Sequence, residues 1–303
     1  MGKSTSGSGS DSLLTQTKRL LRRSGLRARK GLGQHFLVDE DVLETVMAAA
    51  DLTPEDTVIE VGPGLGILTR ELAAKARWVI AIELDDKLAL ALVDSLAGSD
   101  NVVIINRDIL GVDPVMLLRE STADIPSGLS SYKVVANLPY YITSPVIRHF
   151  LEASVKPEVM VLMVQKEVAE AIAAEPGRRS LLSISVQFYG KPDIMAYVPA
   201  DSFYPGPEVE SAILKIDIYP RPLVDVDTVG FFRVVRAGFT AARKQFVNSL
   251  SQGLGLPKEA IRPLLDTAGI DPRRRAETLT IAEWAQLWRV IDESEIIRGH
   301  AEN

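Results

Sequence analysis

The sequence predicts an α/β protein with a doubly wound, mostly parallel sheet, followed by a small all-helical domain. Short apolar runs alternate with helical patterns from about residue 40, which is the order of a parallel sheet with crossover helices. Only helical patterns follow Pro220-Arg221-Pro222, where the two prolines indicate a boundary. Three segments are therefore expected: a flexible basic arm at 1–28, the sheet domain at 29–220 and the helical domain at 221–303.

Each buried strand is indicated by a run of aliphatic residues, and each helix by apolar residues three or four apart. The predicted strands are 57–61, 79–84, 102–106, 133–138 and 159–164, and the helices between them are 66–75, 86–96, 144–153 and 166–174. A hairpin-like pair at 193–198 and 211–218 predicts that the last strand is antiparallel. The predicted C-terminal helices are 229–240, 241–253, 258–268 and 281–292.

The composition is that of a globular protein with a sizeable core, since 46% of the 303 residues are hydrophobic and 24% are charged. No apolar run reaches the roughly 18 residues of a membrane helix, so no membrane partner is expected. Cysteine is absent, which excludes disulfides and favours a reducing cytoplasm. His35, His149 and His300 are scattered, so no metal is expected.

The net charge of −6 hides an uneven distribution. Residues 1–38 carry eight Lys or Arg side chains against Asp11 alone, whereas residues 39–220 carry 14 basic and 28 acidic side chains. Residues 221–303 are nearly neutral, with 12 basic and 11 acidic side chains. Because association with a polyanion depends on where the charges lie, this distribution is compatible with a nucleic-acid partner.

A glycine-rich turn with Gly62, Gly64 and Gly66 joins the first strand of the predicted sheet to its helix. Glycine lets the backbone approach a ligand, and the carboxyl ends of parallel strands are where open α/β sheets bind ligands. The spacing is G-x-G-x-G, not the G-x-G-x-x-G of a dinucleotide site, and Glu60 would repel a pyrophosphate. S-adenosylmethionine has no phosphate and carries two positive groups, so Glu60 and the later Glu83 favour this cofactor over a nicotinamide dinucleotide.

Asp108 follows the third strand of the predicted sheet, so an acid occurs at the end of each of three successive strands. It is a candidate acceptor for the adenine amino group of the cofactor. The alternative is that Asp108 caps the next helix or turn, which aspartate does often.

The stretch Asn137-Leu138-Pro139-Tyr140 closes the predicted strand at 133–138. The Asn137 side-chain oxygen and the Leu138 carbonyl can accept from the exocyclic amine of a planar ring, while Pro139 fixes the turn. Tyr140 offers a face on which the ring can stack, and Phe203 is expected to stack from the other side. Ordinary core packing is the alternative for both aromatic residues.

Several segments occur in the order found in the rRNA adenine N6,N6-dimethyltransferase family, which the chain resembles over roughly residues 29–290. They are Gly33–Leu37, Glu60–Thr69, Glu83–Asp85, Asp108–Leu110, Asn137–Pro145 and Phe203–Ala212. Within that family, the chain is most similar to the bacterial 16S rRNA group.

The resemblance implies a Rossmann-like class I fold that depends on S-adenosylmethionine, and dimethylation of two adjacent adenosines near the 3′ end of 16S rRNA. The implied partner is 16S rRNA in the assembling 30S subunit, and a monomer is expected. The resemblance also implies cofactor contacts from His35, which stands where the family often has asparagine, and from Leu37. Gly62 would lie under the cofactor, Glu83 would hold its ribose, and Asn137 would lie between cofactor and target.

Lys and Arg contacts to phosphate supply much of the affinity of a protein for RNA. The predicted RNA-binding residues are Arg29, Lys30, Arg243, Lys244, Arg273, Arg274 and Arg275, with Arg22, Arg23 and Arg27 as further candidates. Two alternative functions stay open. One is a 23S rRNA adenine N6-methyltransferase of the macrolide-resistance type, and the other is a ribosome-assembly factor that acts mainly by binding.

Overall fold

The structure is a computed structural model that describes residues 11–29, 33–121 and 131–294. The chain divides into two compact units, each built from two stretches of sequence. The first comprises Met1–Lys166 and Ile194–Lys215, and the second comprises Glu167–Asp193 and Ile216–Asn303. The segment Glu167–Asp193 thus clusters with the C-terminal helices, although the sequence analysis placed it in the sheet domain.

Nine strands lie in the described part of the chain. They are β1 Phe36–Leu37, β2 Thr57–Val61, β3 Trp78–Glu83, β4 Val102–Asn106, β5 Lys133–Asn137, β6 Val159–Gln165, β7 Gly190–Val198, β8 Phe203–Tyr204 and β9 Ser211–Ile218. Seven of them form one sheet in the order β4-β3-β2-β5-β6-β9-β7. β4, β3, β2, β5 and β6 are parallel neighbours, which confirms the predicted α/β fold with a mostly parallel sheet.

Helices follow most of the strands and make up the C-terminal part of the chain. They are α1 Leu13–Arg23, α2 Glu40–Ala50, α3 Ile67–Lys75, α4 Asp86–Ser95, α5 Pro114–Ser121, α6 Thr143–Glu152, α7 Lys166–Ile172, α8 Leu181–Gln187, α9 Thr228–Phe239, α10 Phe246–Leu254, α11 Lys258–Thr267 and α12 Ile281–Glu293. None of the helices in the described ranges is both long and apolar enough to cross a membrane.

The predicted helix at 241–253 is shorter in the structure, where α10 begins only at Phe246. The Ser249 hydroxyl accepts from the Ala241 N–H at 3.0 Å and donates to the Gly238 carbonyl at 2.6 Å. These bonds hold residues 241–244 in a turn between α9 and α10 instead of in the helix. The helices α2, α5 and α8 and the short strands β1 and β8 were not predicted.

The expectation of a flexible arm over 1–28 is wrong for Leu13–Arg23, which form α1. Ser12 caps this helix by accepting from the Thr15 N–H, and Arg22 and Arg23 in its last turn complement the helix dipole. Its apolar side chains recur with helical spacing, and Leu21 is buried. Residues 1–10 of the expected arm lie outside the described ranges.

The register of the parallel strands brings the carboxyl ends of β2, β3, β4 and β5 together at one end of the sheet. Every residue of β2 is buried, because a parallel sheet of this kind is covered on both faces. Val61 pairs with Ile82 and Glu83 pairs with Asn106, so β2, β3 and β4 end close together. The turn after β2 and the segment after β5 therefore meet at this edge.

The β1–β8 pair brings distant segments to the same edge of the sheet. Leu37 pairs with Phe203 and Phe36 pairs with Tyr204, in antiparallel register. Leu37 joins the core cluster under α2 and α3, whereas Phe36 joins a second cluster with Leu21 of α1. The N-terminal segment is thereby held against the carboxyl ends of the strands.

We expect Gly66→Ala to destabilise the protein by more than a left-handed backbone alone would explain. Gly66 has a φ of 77° at the start of α3, and an added Cβ would lie 2.6 Å from Leu92 Cδ1. Gly25→Ala is the control, because Gly25 has a φ of 62° and no heavy atom within 4 Å of an added Cβ. The left-handed backbone should cost about 1–2 kcal/mol in both variants, and the Leu92 contact should add to it only at Gly66. Urea unfolding measures the loss of unfolding free energy in each variant, and equal losses would contradict the steric contribution at Gly66.

Candidate active site

A cleft of about 180 Å³ opens in the first unit, at the carboxyl ends of β2 to β5. It is bounded by the segment 33–37, the glycine turn after β2, and the ends of β3 and β4. All the predicted catalytic and cofactor-binding residues except Phe203 line it. They are His35, Leu37, Glu60, Gly62, Gly64, Glu83, Asp108, Asn137, Leu138, Pro139 and Tyr140.

The glycine turn lies in close contact with two walls of the cleft. Gly62 and Gly64 have φ values of 70° and 58°, in the left-handed region that favours glycine. A Cβ on Gly62 would lie 3.6 Å from Pro139 Cδ, and one on Gly64 would lie 3.0 Å from Phe36 Cε1. The absence of side chains here therefore lets the backbone of the turn border the cleft directly.

Glu60 is a buried acid at the base of this turn. It is 1% exposed, and its Oε2 has no hydrogen-bond partner among the described residues. Burial raises the pKa of Glu60 to about 8, although the nearby Thr69 hydroxyl opposes the rise and the charge of Glu83 adds a smaller increase. Because an unpartnered buried carboxylate is costly, this position favours a ligand that donates hydrogen bonds or carries positive charge.

Glu83 ends β3 beside the glycine turn. Its Oε2 accepts from the Gly64 N–H at 3.1 Å, and its Oε1 accepts from the Asp85 N–H at 2.9 Å. Burial raises the pKa of this carboxyl group, and the two backbone hydrogen bonds oppose the rise. Each carboxylate oxygen can still accept a further hydrogen bond from a ligand hydroxyl.

Asp85 connects the end of β3 to the N-terminal segment. Its Oδ1 caps α4 by accepting from the Lys87 N–H at 2.9 Å, and its Oδ2 lies 3.2 Å from Arg29 Nη1. Gln34 Nε2 donates to the same Oδ2 at 3.4 Å. Arg29, predicted to bind RNA, thus forms an ion pair at the rim of the cleft. The adjacent Lys30 lies outside the described residues.

Asp108 caps a short 3-10 turn after β4. Its Oδ1 accepts from the Leu110 N–H at 3.0 Å, so the capping alternative is present in the structure. Asp108 is also exposed and lines the cleft. The two roles are compatible, because a carboxylate has about four acceptor sites and the cap uses one.

Asn137 ends β5 in the centre of the cleft, with its amide held by the N-terminal segment. Its Nδ2 donates to the His35 carbonyl at 2.9 Å. A carbonyl oxygen only accepts, so this bond assigns the nitrogen to the His35 side and leaves Oδ1 as the acceptor. The His35 ring is held in turn by a 2.7 Å hydrogen bond from Nδ1 to the Pro205 carbonyl.

The turn after Asn137 is fixed at both ends. The Leu138 N–H donates to the Met163 carbonyl of β6 at 3.1 Å. The Tyr140 hydroxyl forms a 2.8 Å hydrogen bond with the hydroxyl of Ser211, a fully buried residue. Burial raises the pKa of Tyr140, so its hydroxyl stays protonated. The His35 and Tyr140 rings stack with centroids 5.7 Å apart, and both residues line the cleft.

The structure places Phe203 in the core and not in the cleft, where it was expected to stack on the target ring. Phe203 is 4% exposed and packs in the core cluster that contains Leu37, Leu43 and Val46. It does not line the cleft, because pairing between β1 and β8 directs it into the core. This packing is the alternative stated in the sequence analysis, and stacking of Phe203 on the target ring stays a prediction.

The predicted basic residues of the second unit fall into two groups. Arg243 and Lys244 are exposed in the turn before α10. Arg274 instead binds Glu283 and donates from Nη2 to the Thr278 carbonyl at 2.7 Å. Because Glu283 also belongs to the capping box of α12, Arg274 supports that helix, and its role in RNA binding stays a prediction. Arg273 and Arg275 remain exposed beside the carboxylates of Asp271 and Glu277.

Several residues of the cleft were not predicted from the sequence. Gly33, Gln34 and Asp85 line it, and Ser211 holds Tyr140 from outside it. The sequence Asp85-Asp86 at the start of a predicted helix signals a cap, which could have identified Asp85. Ser211 lies in the segment Phe203–Ala212 that carries the family resemblance, but its contact with Tyr140 joins residues 71 positions apart and could not be predicted from that segment.

The strand order, the glycine turn and the acids after successive strands define a Rossmann-like class I methyltransferase. Solved structures share this fold. The 23S rRNA methyltransferase ErmE matches with a TM-score of 0.66 at 28% identity, over 85% of this chain and 99% of that one. A dimethyladenosine transferase from Plasmodium falciparum matches with a TM-score of 0.73 at 23% identity, over 86% and 99% of the two chains.

The chain belongs to the ribosomal RNA adenine dimethylase family, whose model matches residues 25–293. Two relatives are named ribosomal RNA small subunit methyltransferase A. The protein from Dehalococcoides mccartyi strain CBDB1 is 54% identical, over 91% of this chain and 92% of the relative. The protein from Moorella thermoacetica is 47% identical, over 93% and 99% of the two chains. The chain is therefore an enzyme of the rRNA adenine dimethyltransferase family.

We expect the stability difference between the wild type and Glu60→Gln to depend on pH. With a folded pKa of about 8 against an ordinary value of 4.5, the folded wild type binds more protons than the unfolded chain between these limits. Its stability should therefore fall, relative to Glu60→Gln, by up to about 1.4 kcal/mol per pH unit as the pH rises from 5 to 8. Urea unfolding of the cofactor-free proteins at pH 5 to 9 measures the difference. Parallel pH profiles would show that Glu60 does not titrate in this range.

Proposed function

We propose that this chain uses S-adenosylmethionine to dimethylate the N6 amino groups of two adjacent adenosines near the 3′ end of 16S rRNA. The reaction takes place on the assembling 30S subunit, in the cytoplasm. Membership of the dimethylase family and the relatives named for small-subunit methylation support this proposal. The single observation that carries it is the Asn137 amide, held so that Oδ1 is the acceptor, beside a glycine turn flanked by buried acids.

The residues of the cleft fit S-adenosylmethionine. The unpartnered Glu60 oxygen suits a ligand with an ammonium group, and the turn at Gly62 and Gly64 lets a ligand approach the backbone. Glu83 would accept from the ribose hydroxyls, and Asp108 from the adenine amino group. His35 and Leu37 would contact the cofactor from the N-terminal side. When bound, S-adenosylmethionine supplies an electrophilic methyl group on its sulfonium.

The chain itself positions the amine. Asn137 Oδ1 and the Leu138 carbonyl accept one N–H each from the target N6, which orients the nitrogen lone pair towards the methyl group. The lone pair is otherwise delocalised into the adenine ring, so a fixed geometry is the main contribution of these residues. With S-adenosylmethionine bound, transfer would form an N–C bond as the S–C bond to the methyl group breaks, and the methylated nitrogen would release one proton to water. After the first transfer one N–H remains, and one acceptor still orients it for the second.

Tyr140 holds the target ring after it has left the RNA stack, as base-modifying enzymes require. Its hydroxyl is tied to Ser211 and one of its faces is covered by His35. The adenine therefore stacks on the opposite face. Such base–aromatic contacts are worth about 1–3 kcal/mol per base.

The two alternative functions, a 23S rRNA methyltransferase and an assembly factor that acts by binding, have less support. The 23S rRNA methyltransferase ErmE is 28% identical to this chain, whereas the small-subunit relatives are 47–54% identical. An assembly factor that acts only by binding would not need a buried acid beside a glycine turn, nor an amide with a fixed acceptor.

We expect Asn137→Ala to lower the rate of methyl transfer about 100-fold, because the target nitrogen loses an acceptor and its orientation. The assay transfers labelled methyl groups to undermethylated 30S particles, with mass mapping of the modified nucleosides. Asn137→Asp is a second variant, because a carboxylate keeps the acceptor but cannot donate to the His35 carbonyl. Cofactor affinity, measured in parallel, separates loss of chemistry from loss of cofactor. Wild-type rates in Asn137→Ala, or label appearing only in 23S rRNA, would overturn the proposal.

Helix α1 offers a candidate surface for RNA next to the cleft. Leu21 forms a buried cluster with Phe36 and Leu65, both of which line the cleft. Arg22 and Arg23 are exposed on α1, and neither forms an ion pair with a carboxylate of the described residues. We include this surface in the proposal as a contact for the phosphates that flank the target.

We expect Arg22→Ala/Arg23→Ala to weaken binding to a 16S rRNA 3′ fragment without changing cofactor affinity. The salt dependence of log K should become shallower by about 1 per lost phosphate contact. Lys75→Ala/Arg77→Ala is the matched control, since these exposed residues lie at the amino end of β3, away from the cleft. Binding measured between 50 and 200 mM salt should separate the two double variants. Equal salt slopes would exclude a specific role for α1.

A further inference from the structure

Tyr141 is an exposed aromatic residue at the cleft that the proposed mechanism does not use. It follows Tyr140 in the same short 3-10 turn. Its side chain lines the cleft, and the residue is 56% exposed. An exposed aromatic ring beside a site for a flipped base is a candidate to bind a second base.

The backbone at Gly33 supports the position of the Tyr141 ring. A Cβ placed on Gly33 would lie 3.7 Å from Tyr141 Cδ1 and 3.6 Å from Pro139 Cβ. The backbone of the N-terminal segment therefore passes close to one edge of the Tyr141 ring. The turn that carries the ring is itself fixed through Tyr140 and Ser211. The ring is thus held at the cleft while most of its surface faces solvent.

Tyr141 differs from the other exposed tyrosines in the described part of the chain. The ring of Tyr197 has the Lys166 ammonium 5.1 Å from its centroid, and the ring of Tyr204 has the Lys18 ammonium at 5.2 Å. No ring or cation among residues 11–29, 33–121 and 131–294 covers Tyr141. An uncovered ring beside the cleft is available to an aromatic ligand.

We propose that Tyr141 is a stacking site for the nucleobase adjacent to the adenosine held by Asn137 and Tyr140. This inference rests on the proposed function. When the target base leaves the stack, the neighbouring base loses a stacking partner, and the Tyr141 ring replaces it. Stacking on an aromatic ring tolerates any base. The site therefore does not require a particular nucleobase next to the adenosine in the cleft.

The test compares Tyr141→Ala and Tyr141→Phe with Tyr197→Ala in the full-length protein. Tyr197 is a matched control, because it is a tyrosine 53% exposed in the same unit but outside the cleft. With undermethylated 30S particles as substrate, Tyr141→Ala should raise KM about tenfold or more while kcat and cofactor affinity change little. Tyr141→Phe should retain the wild-type KM, because the ring is kept. Thermal unfolding verifies that each variant folds.

A second measurement removes the neighbouring base instead of the ring. Wild type and Tyr141→Ala are compared for binding to a short RNA with two adjacent adenosines, and to the same RNA with one of them replaced by an abasic nucleotide. The loss of binding affinity caused by Tyr141→Ala should disappear on the abasic RNA, because that RNA lacks the base that would stack on the Tyr141 ring.

An unchanged KM in Tyr141→Ala would overturn the stacking site. An equal rise in KM in Tyr141→Phe or Tyr197→Ala would overturn it as well. So would a loss of binding affinity in Tyr141→Ala that stays as large on the abasic RNA. Failure of the proposed function is a different result. In that case the wild-type protein itself would not methylate adenosine in the 30S particles.

Discussion

The hydrogen bond from the Asn137 amide to the His35 carbonyl is the contact on which the geometry of the cleft depends. It joins residues 102 positions apart in sequence. A side-chain amide can rotate by half a turn and exchange its donor and acceptor, so only a partner that cannot donate fixes its direction. A backbone carbonyl meets this condition for any side chain at position 35. The N-terminal segment thus sets which atom of Asn137 is the acceptor, although it supplies no reacting group.

The electrostatic character of the cleft follows from burial more than from net charge. Glu60 and Glu83 are both buried near one another, and burial raises the pKa of each. The backbone N–H groups of Gly64 and Asp85 compensate Glu83, whereas one oxygen of Glu60 has no hydrogen-bond partner within the described ranges. A cationic ligand would relieve this cost. The same arrangement disfavours a phosphate, which explains chemically why a fold shared with dinucleotide-binding proteins suits a different cofactor.

The sheet and most of the cleft could be predicted from the sequence, because both depend on local patterns. Apolar runs such as Val79–Ile82 are buried on both faces, and the residues that end parallel strands meet at one end of the sheet. The locations of Phe203 and Arg274 could not be predicted, because residue type does not determine location. An aromatic side chain packs in a core as readily as on a ligand, and an arginine cluster gives no sign of Glu283, which lies nine residues away. Helix α1 was missed because the glycine- and serine-rich start of the chain masked an amphipathic pattern that begins at Leu13.

The interleaving of the two units has a consequence for synthesis of the protein. The chain passes between the units near residues 166, 193 and 215, so neither unit is one continuous stretch. The first unit cannot be completed until Lys215 has left the ribosome. Glu167–Asp193 leaves the ribosome earlier, but it can complete its own unit only after the helices that follow Ile216 have been synthesised. Its apolar residues, including Ile184 and Val186 of α8, are fully buried in the finished protein. During translation these residues leave the ribosome before the C-terminal helices of their own unit, so α8 is open to aggregation until those helices follow.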